Sequence, residues 1–157
     1  MVSPDIVKEL EDIDAMFVQS AIAMEHVGDR VVLRGVAPST LYFSDRPQRV
    51  VGHLATADFI DLWDAGADSF AENPPNAVLA FVGKDAIVPE DVVIEISDPT
   101  LRGEELTYTA TVLDGALPSW AEGCTLFIDP FGRPLSPVSV AGIRRRTRRR
   151  TRRRLTR

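Results

Sequence analysis

The sequence has little of what catalysis, metal binding and export most often use. It holds one cysteine, Cys124, in 157 residues. One thiol excludes an intrachain disulfide and fits a reducing compartment, without specifying one. Its two histidines, His26 and His53, are far apart. Together with the lone cysteine they do not form a metal-ligand motif, which needs at least three ligands in good geometry. No apolar run approaches the roughly 18 residues of a spanning helix. There is no glycine-rich phosphate cradle, and no nucleophile elbow surrounds Ser39 or Ser44. The opening residues Met1-Val-Ser-Pro-Asp5 lack a basic n-region and an apolar h-region, which predicts no secretory signal in the sequence as it stands. The matching expectation is a cytoplasmic location, or export if a signal was removed. Basic residues are scarce over most of the chain. Setting aside ten arginines in the last fifteen residues leaves 8 of the 18 Lys and Arg against all 23 Asp and Glu. Residues 1–142 therefore carry about −15 and the tail +10, behind an overall −5.

What is present reads as one globular domain with an appendage at each end. Composition is 45% hydrophobic and 26% charged, too apolar for overall disorder. The expected organisation is an N-terminal amphipathic helix in 1–19, a β-rich acidic body over 20–129, a Pro/Gly-rich connecting ribbon over 130–142, and an arginine-rich tail over 143–157. Ser3 and Pro4 form a helix start, with Asp5 and Glu9 in the first turns. Ile6, Leu10, Ile13 and Phe17 recur at helical spacing and predict a helix over about 4–17. Its apolar stripe needs a partner, either the body's own core or a neighbouring subunit.

Strand patterns follow. Residues 21–26 and 30–34 flank the turn Gly28-Asp29, and 48–54 is a third strand. Thr56 begins a short helix over 57–63, with Phe59, Ile60 and Trp63 packing and Asp58 and Asp61 exposed. Residues 64–75 form a loop by composition. Strands are predicted at 77–82, at 91–97 with a turn at Asp98-Pro99, at 106–113 with a turn at Asp114-Gly115, and at 124–129. About seven short strands joined by tight turns, with two short helices, predict a mainly β fold: an antiparallel β-sandwich or barrel-like body.

The segment Gly35-Val-Ala-Pro-Ser-Thr-Leu-Tyr-Phe-Ser-Asp-Arg-Pro47, followed by Gly52-His53, resembles the signature of a family of uncharacterised bacterial proteins. Residues 63–75 and 127–142, followed by arginines, fit the same resemblance, which spans roughly residues 20–146. It implies an export or lipoprotein signal and no assigned activity. This chain has a short amphipathic helix where that signal is expected, and its Arg-Arg-Arg-Thr repeat is stricter than the family's ending.

Two constellations could carry chemistry in the body. Asp45, Arg46 and His53 form the densest polar group and could orient a small ligand or, with Ser44 or Ser39, a proton relay. The structural alternative is a turn cap, an ion pair and a satisfied ring. Asp58, Asp61, Asp64 and Asp68 could hold calcium, but they lack EF-hand spacing and read as a solvated acidic face. No catalytic residue, cofactor or metal is implied. The scattered aromatics Tyr42, Phe43, Phe59, Trp63, Phe70, Phe81 and Trp120 do not interleave with basic residues, so they form no stacking platform for single strands.

The tail carries Arg144, Arg145, Arg146, Arg148, Arg149, Arg150, Arg152, Arg153, Arg154 and Arg157. A four-residue period places Ile143, Thr147, Thr151 and Leu155 on one drifting side of a helix. Alone in water that helix should not hold, because like charges repel at i,i+4. Its candidate partners are the acidic body of its own or a neighbouring chain, nucleic acid or another polyanion, and an anionic membrane surface. A solubilising tail without a specific partner is the remaining alternative. The reading that follows is a non-catalytic structural or binding module that forms a homo-oligomer, with helix and tail as assembly elements. The alternative is a polyanion-binding protein acting through the tail, and a ligand or hydrolytic site around Asp45, Arg46 and His53 ranks third.

Overall fold

The computed structural model describes residues 4–45, 49–64, 69–82 and 89–130. In chain order the elements are α1 (Pro4–Asp12), β1 (Met16–Val27), β2 (Arg30–Val36), β3 (Ser39–Ser44), β4 (Val50–Ala55), α2 (Thr56–Asp61), β5 (Asn76–Val82), β6 (Pro89–Arg102), β7 (Glu105–Asp114) and β8 (Trp120–Ile128). Every pairing is antiparallel. Six strands close into a barrel in the order β1-β2-β7-β6-β5-β8, because β1 pairs with both β2 and β8. The mainly β, antiparallel, barrel-like body with two short helices is as the sequence predicts, with eight strands described rather than seven.

Closure depends on the length of β1. One edge of this 12-residue strand takes two partners in turn: Met16 to Val18 face β3, and Ala21 to Val27 face β2. The changeover is sealed where the Ala37 N–H donates to the Ser20 carbonyl at 2.8 Å. Gly35 of β2 lies beside it with φ 65°, and the Ile22 side chain fills the place of a Cβ. A residue without a side chain lets the strand bulge and turn the barrel corner. β3 and β4 leave the wall there as a two-stranded ribbon, with β4 at the end of the sheet order.

Several sequence-based boundaries shift. The helix ends at Asp12, so Phe17 belongs to β1 rather than to a helix over 4–17. Asp14 adopts φ 51°, the Ala15 N–H donates to the Leu10 carbonyl, and the Asp14 N–H donates to the Glu11 carbonyl, both at 3.3 Å. This is a Schellman ending with aspartate in the left-handed position usually held by glycine, so no glycine marked the stop. The buried helix face also changes: Val7, Leu10 and Ile13 enter the core, while Ile6 is 46% exposed. The helix therefore packs on its own body. The turn expected at Asp98-Pro99 is instead a bulge inside a continuous β6. Ser97 faces Thr109 and Thr100 faces Thr107, so three steps on one strand oppose two on the other. The chain reverses after Arg102, where Gly103 has φ 62°. β3 had no strand reading, and β8 starts at Trp120, four residues earlier than expected.

The core fills the barrel and one of its ends. Phe17, Leu79, Ile94, Leu106, Leu126 and Ile128 point inward from the wall. Phe59 and Trp63, with Phe70 from the segment read as a loop, reach the same core: ring centroids are 4.9 Å apart for Phe17–Phe59, 4.8 Å for Trp63–Phe70 and 5.7 Å for Trp63–Tyr108. Such tilted contacts add modestly to the burial of large rings. Outside the described residues lie Ser3, Arg46, Asp68, most of the predicted 130–142 ribbon and the whole arginine tail.

Candidate functional site

The predicted polar group sits on the β3–β4 ribbon, whose register separates its members. Thr40, Tyr42 and Ser44 face inward, whereas Leu41 and Phe43 face out. The Ser44 hydroxyl donates to the Ile13 carbonyl, tying β3 to the end of α1. His53 lies opposite Leu41 and is exposed, so it occupies the outer face. Ser44 and His53 thus lie on opposite faces and do not meet. Asp45 is exposed four residues beyond Leu41, about 13 Å along an extended strand from the His53 row. The described geometry brings neither a carboxylate nor the Ser44 hydroxyl to His53. Gly52 has a packing role, because the Tyr42 ring lies where a Gly52 side chain would be.

The ribbon's inward polar atoms form one hydrogen-bonded chain that the sequence did not reveal. The Tyr108 hydroxyl donates to Gln19 Oε1 at 2.7 Å, and Gln19 Nε2 donates to Thr40 Oγ1 at 3.3 Å. Thr56 Oγ1 donates to the Ala37 carbonyl at 2.8 Å, which leaves Thr40 as the donor in the 2.9 Å Thr40–Thr56 contact. Each link is buried or partly buried, and the chain joins the barrel interior to the start of α2. Burial raises the Tyr108 phenol well above its ordinary range, against a smaller opposing effect of the Gln19 hydrogen bond, so it stays neutral. Burial likewise pushes the Cys124 thiol up to about 11. Neither group has the depressed pKa of an activated nucleophile. Among the described residues, no group of three or more His, Cys, Asp and Glu could hold a metal ion. No described helix is long and apolar enough to cross a membrane.

The outer surface has more organisation. One cross-strand row runs Val93–Val78–Phe127–Val18–Leu41–His53 across β6, β5, β8, β1, β3 and β4. A second row, Met16–Phe43–Val51, runs beside it. Val78 and Val93 are only 4% exposed although they point away from the barrel core, with Met16 and Phe127 packed against them. Toward the ribbon the same surface opens: Phe43 is 37%, Leu41 50% and Val51 79% exposed. The two strands Ser-Thr-Leu-Tyr-Phe-Ser and Val-Val-Gly-His-Leu-Ala contain no Asp, Glu, Lys or Arg. β4 pairs with β3 alone among the described strands, which leaves its other edge open.

No protein-family model, curated protein or solved structure matches the chain.

Proposed function

We propose that this protein is a non-catalytic binding module that self-associates, and that the outer face and open edge of the β3–β4 ribbon form the contact with a second copy. The observation that carries this reading is the pair of ribbon strands, which lack Asp, Glu, Lys and Arg and expose Leu41, Phe43 and Val51, on a body of about −15. Like charge repels a second copy over most of that body. The ribbon strands combine the absence of Asp, Glu, Lys and Arg with three exposed apolar side chains on one face. An antiparallel β4–β4 pairing would satisfy the open edge and bring the same residues together from both copies, as an isologous interface requires. We place the contact on the ribbon rather than on α1, whose Val7, Leu10 and Ile13 pack in the chain's own core. The arginine tail remains a second assembly element, whose +10 can meet the acidic body of a neighbour.

Light scattering of the full chain at low and high salt tests this. The expected result is a mass above the monomer that falls to the monomer in Val51→Lys/Phe43→Lys. An unchanged mass in that variant removes the ribbon from the interface. The ten tail arginines support polyanion binding as the second reading. A full chain that stays monomeric and binds DNA, with a log–log salt slope approaching about −9, would replace self-association by that reading.

A further inference from the structure

The body holds 23 carboxylates and 8 basic residues in residues 1–142, an excess in which every arginine could find a carboxylate. Arg34 does: its Nη1 and Nη2 reach Glu105 and Glu25, each at 2.9 Å. Arg30 and Arg102 do not. Neither makes an ion pair or side-chain hydrogen bond among the described residues, and both are exposed at one groove of about 340 Å³ on the outer face of β2, β7 and β6.

The ladder explains the shape and chemistry of this groove. Thr107 of β7 lies opposite Val32 of β2 on one side and Thr100 of β6 on the other. These three residues line the groove between its arginines, Arg30 at the start of β2 and Arg102 at the end of β6. Thr100 directly follows the β6 bulge, whose extra residue strengthens the local twist. Glu105 also lines the groove, but its carboxylate is held by Arg34. Among the groove's lining residues Arg30 and Arg102 stand against one carboxylate, Glu105, on a body of about −15.

We propose that this groove binds the phosphate group of a small molecule. Guanidinium forks match phosphate oxygens in geometry and charge, and the two threonine hydroxyls add donors between them. The volume is that of a small-ligand site. This inference does not rest on self-association, because the groove shares no residue with the ribbon.

The arginine tail will also attract phosphate, so the test is residue-resolved. Inorganic phosphate and glycerol 3-phosphate are titrated into the full chain at constant ionic strength, and backbone amide shifts are followed by NMR. The expected result is one saturating curve shared by Arg30, Thr100, Arg102 and Thr107. The double variant Arg30→Gln/Arg102→Gln should weaken it about tenfold or more, as expected on losing charge-assisted hydrogen bonds, with shifts elsewhere in the barrel unchanged. Shifts confined to residues 143–157, or the same curve in the double variant, would overturn the proposal. Equal binding of acetate would overturn the phosphate class.

Discussion

The barrel wall and the β3–β4 ribbon share one antiparallel ladder but differ in how much of their inner face is polar. In the wall, Phe17, Leu79, Ile94, Leu106 and Leu126 point in, while Thr107, Thr109, Thr111 and Thr125 point out. In the ribbon, Thr40 and Ser44 point in beside Tyr42, Val50 and Leu54, while Leu41, Phe43 and Val51 point out. The wall encloses side chains only, so burial of apolar area decides its pattern. The ribbon and the first residue of α2 lie against backbone carbonyls at Ile13 and Ala37, and buried carbonyls need donors. Ser44 and Thr56 supply them, and Thr40 completes the chain back to Gln19. Hydroxyls thus take two of β3's inner positions, on either side of Tyr42, and Leu41 and Phe43 fall on the outer surface.

The largest expected contrast comes from removing one ring on each side. Phe17→Ala should cost about 3–5 kcal/mol in urea unfolding, since Phe17 is fully buried against Phe59 and Phe70. Phe43→Ala should cost far less in the monomer and act on association; equal losses would mean the ribbon's outer face is core after all.

The next effect is on the buried polar chain. Tyr108→Phe keeps the ring but leaves Gln19 Oε1 without its donor, so it should cost about 1–3 kcal/mol. A neutral result in thermal and urea unfolding would show that the chain adds nothing to the joining of ribbon and wall.

A smaller, pH-dependent effect separates Cys124 from the ribbon, which has no cysteine. Its folded pKa, about 11, lies above the ordinary 9.0. The unfolded chain therefore loses its thiol proton first, and the stability this gives is complete below pH 9 and declines as pH rises toward 11. Denaturation between pH 8 and 11 should show a shallower decline in Cys124→Ala than in the parent chain. Parallel curves would mean that the thiol does not contribute.

The smallest effect on folding belongs to the ribbon's outer row. Val51→Lys should change monomer stability by no more than about 0.5 kcal/mol, because the side chain is 79% exposed. Its effect should appear in oligomer mass alone. A large loss of stability with no change in mass would make the outer row structural.

Legibility in the sequence tracked these two patterns. The hairpin at Gly28-Asp29 and the strand from Leu106 were readable from turn residues and alternation, and the run from Ala77 because it is apolar without interruption and buried on both faces. β3 was not, because Thr40 and Ser44 inverted the expected polarity. The helix stop at Asp14 and the bulge at Asp98 were missed for one reason: both place aspartate, not glycine, at positive φ. Of the candidate site, residue types were visible, but the separation of Ser44, Asp45 and His53 was not. It follows from the Leu41–His53 register, a pairing between strands.

By itself the sequence determined the class of the fold, the two helices, most strands, and the division into an acidic body and an arginine tail, because alternation, turn residues and charge are local properties of the chain. Tertiary structure alone decided that the sheet closes, that β1 serves two partners on one edge, and that two ribbon strands without Asp, Glu, Lys or Arg and an arginine-lined groove stand on the surface. These depend on which strands meet across long stretches of sequence. The two-residue strand period tells which residues share a face, but not which face another strand or helix will cover.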